Sequence, residues 1–345
     1  MTNLQSIIRF PIQLMQSLVR DLIVLTALLS CAACTPVVNR PREAVQPPVL
    51  SRSHFTAADG AVLPTRSWVD PNEPVRAVIV AVHGFNDYSR FFSAPGSYLS
   101  RRGLACYAYD QRGFGNAPGQ GLWAGVDAYV NDLKAFTQQV RLRHPGVPLY
   151  LLGESMGGAV AIVAMTAAHP PEADGLILSS PAVWGRSTMP WYQLALLETT
   201  AHTAPSLRLT GEGLKIMASD NIEMLRELGQ DPLVIKATRV DAMYGLVDLM
   251  DAALDGASQL STPTLVLYGE HDQVVPREPV SRMLEKMPGA PQTQVAFYAN
   301  GYHLLLRDLQ AKQPWDDIAA WIENRHSPLP SGSDRRVAVG LTQNR

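Results

Sequence analysis

Residues 151–160, LLGESMGGAV, set a serine between glycines at 153 and 157, directly after one short apolar run and directly before another. The five residues Gly153-Glu154-Ser155-Met156-Gly157 fit G-x-S-x-G, and their flanks predict strand, turn and helix in the order a nucleophile elbow needs. At such a corner the serine backbone is strained, and a side chain at 153 or 157 would collide with neighbouring chain. Glycine is there for space. A helix opening at Met156 would aim its first N–H groups, and the positive end of its dipole, at negative charge developing beside the serine.

The rest of the chain alternates in a way that supplies a sheet for this corner. Runs rich in Val, Ile, Leu and Tyr stand at 77–82, 104–109, 148–152, 175–179, 263–268 and 293–298. Continuous apolar runs of that length suit strands covered on both faces. Helical patterns separate them. In 126–143 the apolar residues Val126, Tyr129, Val130, Leu133, Phe136 and Val140 recur at spacings of three and four. Strand alternating with helix predicts an α/β fold with a mainly parallel sheet flanked by helices. Runs at 53–57 and 61–69, around Asp59-Gly60, read as an antiparallel edge hairpin. Residues 183–258 carry helical patterns and no convincing strand, and an insertion of that length between strands suits a cap over a site.

A serine is a weak nucleophile at neutral pH and needs a base, with a third group to orient that base. His303 lies in a loop after the last strand run, in YANGYHLLLRD, and Asp272 in a loop after the preceding one, in LYGEHDQVVP. The order Ser155, Asp272, His303 is the one expected of a sheet built this way. Glu270 is the reserve acid, and the alternative acid position, after the fourth run, reads SSPAVW and offers no carboxylate, which favours Asp272. For an oxyanion hole, the backbone N–H of Met156 needs a second donor, and Phe85 in VHGFND supplies it, with Gly84 leaving room. His83 reads as a residue that orients this loop by hydrogen bonds, and Asp110 as the partner of Arg112 in an ion pair.

Lys and Arg total 29 against 31 for Asp and Glu, a net charge of −2 that offers no long-range attraction for nucleic acid. No nucleic-acid partner, metal or organic cofactor is implied. At the N-terminus, Arg9 and Arg20 precede LIVLTALLSCAAC, an apolar stretch too short to span a bilayer. Residues 1–34 read as an export signal whose LLSC resembles a lipoprotein box, with lipid expected on Cys31 in preference to Cys34. The expectation is an exported, membrane-tethered protein, or otherwise a secreted or periplasmic one. Cys106 then remains alone, a buried hydrophobe with no partner for a disulfide. The Pro-rich segment 35–50 reads as a semi-extended linker, 51–326 as the folded domain with its cap at about 183–258, and 327–345 as a disordered tail.

Several linked motifs carry a family likeness: HGFNDYSRFF, YDQRGFG, HPGVPLYLLGESMGGAVAI, LILSSPAV and GYHLLLRD, in that order. Over about residues 53–325 the chain resembles α/β-hydrolases of the monoacylglycerol lipase and lysophospholipase group. The resemblance implies a mainly parallel eight-stranded sheet, a Ser155, Asp272 and His303 triad, and oxyanion donors at Phe85 and Met156. It departs at Asn116, where many relatives carry serine. The implied activity is hydrolysis of acylglycerol or lysophospholipid esters through an acyl-enzyme, with Trp184, Met189, Trp191, Tyr192 and Leu194 of the cap as candidate acyl-site residues. Two alternatives stay open. An aminopeptidase-type hydrolase would need carboxylates such as Glu198, Glu212 or Glu223 near the serine, and a non-catalytic binding protein would keep the scaffold alone.

Overall fold

The computed structural model describes residues 19–21, 35–211, 213 and 215–335. Cys31, Cys34, Glu212 and most of the expected export signal lie outside the described residues. The strands are β1 (Val49–Leu50), β2 (His54–Thr56), β3 (Val62–Trp68), β4 (Ala77–Val82), β5 (Leu104–Tyr109), β6 (Leu149–Glu154), β7 (Gly175–Ser179), β8 (Arg208–Thr210), β9 (Ala237–Arg239), β10 (Thr264–Gly269) and β11 (Thr293–Tyr298). Nine of them form one sheet in the order β1-β2-β3-β5-β4-β6-β7-β10-β11. From β5 to β11 all neighbours pair in parallel, while β1, β2 and β3 add an antiparallel edge.

The apolar runs become central strands because alternate side chains find a core on each face of the sheet. Val78, Val80 and Val82 of β4 pack in one cluster with Leu133, Phe136 and Val160. Ile79 and Ala81 enter the other with Leu99, Ile318 and Trp321. Both faces are dry, which is why these runs carry no polar alternation. Every residue of the helix Met156–Met165 is buried except Val163, which is half-buried, as a helix apolar all round should be. The helix Val126–Arg143 covers the same face of the sheet with Tyr129, Leu133, Phe136 and Val140. The strand order reverses around β4, which is followed in the chain by β5 on one side and in space by β6 on the other. Crevices beyond the carboxyl ends of strands at such a reversal are where α/β sheets place their sites.

Three expectations change in detail. The sheet has nine strands instead of eight, because Val49–Leu50 of the Pro-rich segment pairs with Phe55 and Thr56. That segment is not a free linker. Asn39 donates its N–H to Trp123 O at 2.7 Å, Val45 to Ala58 O at 2.8 Å and Arg42 to the Asp59 carboxylate at 3.2 Å. Proline removes some donors and favours extended backbone, and the residues between the prolines use that extension to bond along the domain edge. At the other end, residues 327–335 also pack. Leu329 is buried, Ser331 donates from N–H and hydroxyl to Asp317 at 2.9 and 2.5 Å, and Gln294 reaches Asp334 at 3.0 Å.

The cap runs from the short turn at Arg186–Thr188 through helices Trp191–Thr203, Ile222–Gln230 and Val240–Gly256. It also contains a small antiparallel pair, β8 with β9, that its sequence does not announce. Arg186 gathers it by bonding Glu198, Asp248 and Asp251 at 3.2, 2.9 and 2.5 Å. Among the described residues no helix is long and apolar enough to cross a membrane.

Candidate active site

Ser155 sits between β6 and the buried helix with φ 53° and ψ −118°, a conformation costing a non-glycine residue about 1–3 kcal/mol. The corner is held by four backbone bonds. Ser155 N–H donates to Ser179 O at 3.0 Å, and its carbonyl accepts from Gly158, Ala159 and Ala182 at 2.9, 3.2 and 3.0 Å. The glycines are forced by crowding. A Cβ at 153 would stand 2.5 Å from Gly157 C and Gly158 Cα, and one at 157 would stand 2.6 Å from Val82 C and 2.8 Å from His83 O.

The loop after β10 carries Asp272 and the loop after β11 carries His303. They are pressed together: His271 N–H donates to Gly301 O at 2.9 Å, and a Cβ on Gly269 would stand 2.6 Å from Tyr302 O. The structure brings both loops to the elbow. His303 Nδ1 lies 2.8 Å from Asp272 Oδ2, and its Nε2 lies 3.0 Å from Ser155 Oγ. A carboxylate only accepts, so Nδ1 carries the proton and Nε2 is left to accept from the serine hydroxyl. The second Asp272 oxygen accepts from the N–H groups of Val274 and Val275 at 2.8 and 2.9 Å, which fixes the carboxylate behind the ring. The Asp272 side chain is fully buried and that of His303 5% exposed, so water does not compete for either bond. The reserve acid Glu270 does not occupy the position at Nδ1.

Met156 opens the helix, and Phe85 follows β4 in the loop whose Gly84 comes within 3.3 Å, Cβ to Cβ, of Ser155 if a side chain is imagined there. Among the described residues no acceptor takes the backbone N–H of Phe85 or Met156. His83 behind them is fully buried. Gln111 N–H donates to its Nε2 at 2.9 Å, so Nδ1 carries the proton and donates to Gly84 O at 2.8 Å. Burial pushes its pKa down, and it stays a neutral brace for the loop.

Asp110 is not the partner of Arg112. Its carboxylate accepts from Ser89 N–H and hydroxyl at 3.0 and 2.6 Å and from Asn116 N–H at 3.0 Å. Arg112 instead forks between Asp59 and Asp132, with bonds of 2.6–3.0 Å. Closeness in the sequence misled because each side chain is taken by partners distant in the chain, Asp110 by Ser89 and Arg112 by Asp59 and Asp132.

A buried ion cluster beneath the site escaped the sequence reading. Arg307 bonds Asp87 Oδ2 and Glu154 Oε1, each at 2.7 Å. Burial opposes its charge, but Asp87 and Glu154 more than offset that and hold the guanidinium above its usual range. Burial raises the Glu154 carboxyl, with Arg307 pulling it back down. One guanidinium thus ties the Phe85 loop, the elbow and the His303 loop together. The signal was present as an arginine inside LLLRD and a glutamate inside the elbow, both charged residues in apolar company.

Of the cap residues expected at an acyl site, Trp184 and Met189 pack against the core, while Trp191 and Tyr192 are 79% and 58% exposed. Among the described residues no group of three His, Cys, Asp or Glu side chains is placed to hold a metal ion.

Residues 73–310 match the family described as Serine aminopeptidase, S33. A monoacylglycerol lipase of Mycolicibacterium smegmatis is 26% identical over 277 residues, covering 79% of this chain and 96% of its own length. The monoglyceride lipase of Homo sapiens is 25% identical over 304 residues, covering 86% of this chain and 99% of its own. Among solved structures, a soluble variant of monoglyceride lipase from Saccharomyces cerevisiae in complex with a substrate analog superposes with a TM-score of 0.68. It is 21% identical and covers 83% of this chain and 98% of that one. With its parallel sheet, helical cap and strained serine elbow, the chain is an α/β-hydrolase and belongs to the family described as Serine aminopeptidase, S33.

Proposed function

We propose that the protein hydrolyses carboxylic esters of acylglycerols or lysophospholipids through an acyl-enzyme. The observation that carries this reading is the continuous relay from Ser155 Oγ to His303 Nε2 at 3.0 Å and from His303 Nδ1 to Asp272 at 2.8 Å. His303 takes the hydroxyl proton as Ser155 attacks the ester carbonyl. Asp272 holds the ring and stabilises the imidazolium. The N–H groups of Phe85 and Met156 receive the oxyanion. His303 then returns the proton to the departing alcohol, and a water activated by the same ring releases the fatty acid and frees the serine.

Glyceride substrates are supported by the relatives, whose names are those of monoacylglycerol lipases across bacteria and eukaryotes. The family description favours a second reading, an aminopeptidase. That chemistry needs a carboxylate to hold the substrate amine, yet Glu198 is engaged by Arg186 at 3.2 Å and Glu223 is 82% exposed beside Arg226. Ester hydrolysis is the reading these partners support.

The test gives the protein a fluorophosphonate probe, a chain-length series of acyl glycerols and an aminoacyl arylamide, each with Ser155→Ala alongside. Probe labelling and acyl-glycerol turnover that both vanish in the variant are expected. Turnover of the arylamide in place of the esters would replace this reading by the peptidase. The chain is further proposed to be exported and tethered by lipid on Cys31, and the mass of the mature N-terminus decides that.

A further inference from the structure

The cap segment Met217–Asn221, between β8 and the helix Ile222–Gln230, is bonded to the loops that carry the base and the acid. Leu304 donates its N–H to Ala218 O at 2.8 Å, Leu309 to Asp220 Oδ1 at 2.8 Å, and Asn221 Nδ2 to Arg307 O at 3.0 Å. On the acid side, Met217 donates its N–H to Gln273 Oε1 at 2.9 Å. At the centre of this seam is Asp308. One of its oxygens accepts from the Ser219 hydroxyl at 2.6 Å, and the other accepts from the backbone N–H of Tyr302 at 2.7 Å. Ser219 is fully buried and Asp308 nearly so.

Tyr302 is the residue before His303, so its peptide sets the direction from which the imidazole leaves the backbone. We propose that Asp308 is a positioning residue: its carboxylate clasps the cap at Ser219 to the backbone at Tyr302 and so holds the His303 ring over Ser155. The inference rests on the ester-hydrolase reading above. It makes the cap segment part of what assembles the relay, beyond covering the substrate. Asp308 touches neither Ser155 nor the ring. It acts through one peptide.

The geometry separates this role from plain packing. Leucine at 308 has nearly the shape of the aspartate but accepts no hydrogen bond, so the bonds from Ser219 and from Tyr302 are both lost. Alanine at 219 removes only the hydroxyl on the cap side. A displacement of the ring by about 1 Å is enough to slow chemistry about 100-fold. Substrate binding in the cap is far less affected.

The test measures ester turnover per serine titrated by fluorophosphonate in the full chain, for Asp308→Leu and Ser219→Ala. Hydrogen exchange is followed in a peptide spanning Tyr302–Leu304. The expected result is a kcat lowered about tenfold to a hundredfold with KM nearly unchanged, and faster exchange in that peptide. A wild type that labels and turns over, with variants that match its kcat per titrated serine, overturns the clasp alone. A wild type that does neither overturns the hydrolase reading and the clasp with it. If Asp308→Leu fails to fold, the Ser219→Ala result decides by the same criteria.

Discussion

Replacing Gly157 by alanine tests the claim that space, and not flexibility, selects glycine at the elbow. The added methyl would stand 2.6 Å from Val82 C and 2.8 Å from His83 O, both of them backbone. Ordinary carbon contacts lie near 3.5–4.0 Å, so about 1 Å of movement is needed between the helix and the end of β4. Overpacking of this kind costs about 1–3 kcal/mol, and backbone on the receiving side places it at about 3. That corresponds to a fall in Tm of roughly 5 °C for a domain this large. The strand that must yield carries the Phe85 loop at its tip, so activity should fall further than stability. A shift of about 1 Å at a reacting geometry is worth about 100-fold. Gly229→Ala is the internal control. It lies in the helix Ile222–Gln230 with open space where a Cβ would go, and alanine there should stabilise by about 0.5–1 kcal/mol. Thermal unfolding with turnover on a soluble acyl ester reads both variants. A Gly157→Ala protein that unfolds at the wild-type temperature with full activity would refute the reasoning.

Asp272→Asn preserves the shape behind His303 but removes the acceptor that fixes the tautomer, and kcat should fall on the order of 10⁴-fold with little change in folding. Arg112→Ala strands the carboxylates of Asp59 and Asp132, and loss of one partner of a buried pair is expected to cost about 3–5 kcal/mol in denaturant unfolding. Asp308 provides the pH prediction. Burial raises its pKa from 3.8 to about 6, with hydrogen bonds from Ser219 and Tyr302 opposing and the charge of Asp220 adding to the rise. Between pH 3.8 and about 6 the folded state therefore holds a proton that the unfolded state has released. Stability from this group is present below pH 3.8 and lost as pH rises through about 6. The Tm of wild type minus that of Asp308→Asn should decline across that window, and a flat difference would contradict it.

The central strands were legible because burial on both faces leaves an unbroken apolar run. The expected 77–82, 104–109, 175–179 and 293–298 coincide with β4, β5, β7 and β11. Ser155, Asp272 and His303 could be picked out because each follows a strand run, in the order Ser, Asp, His, while Glu270 in the same loop as Asp272 could only be set aside by the geometry. The small pair β8 and β9 was not legible, since Arg208–Thr210 is exposed and carries no alternation. Residues 35–50 and 327–335 looked unstructured because their anchoring runs through backbone N–H groups and single buried carboxylates, which composition does not register. The Arg307 cluster was hidden for a related reason. Its members stand at 87, 154 and 307, and only the fold makes them neighbours.

The hydroxyl at 155 precedes the imidazole it faces by 148 positions, whereas the carboxylate precedes it by only 31. At about 5–20 residues per second, a ribosome needs about 7–30 s to go from the first of these to the last. A nascent chain thus carries the serine and its glycines well before it has any means of deprotonating the hydroxyl. A product ending before Thr293–Tyr298 would lack the imidazole altogether, so the serine has no base until residue 303 has been made.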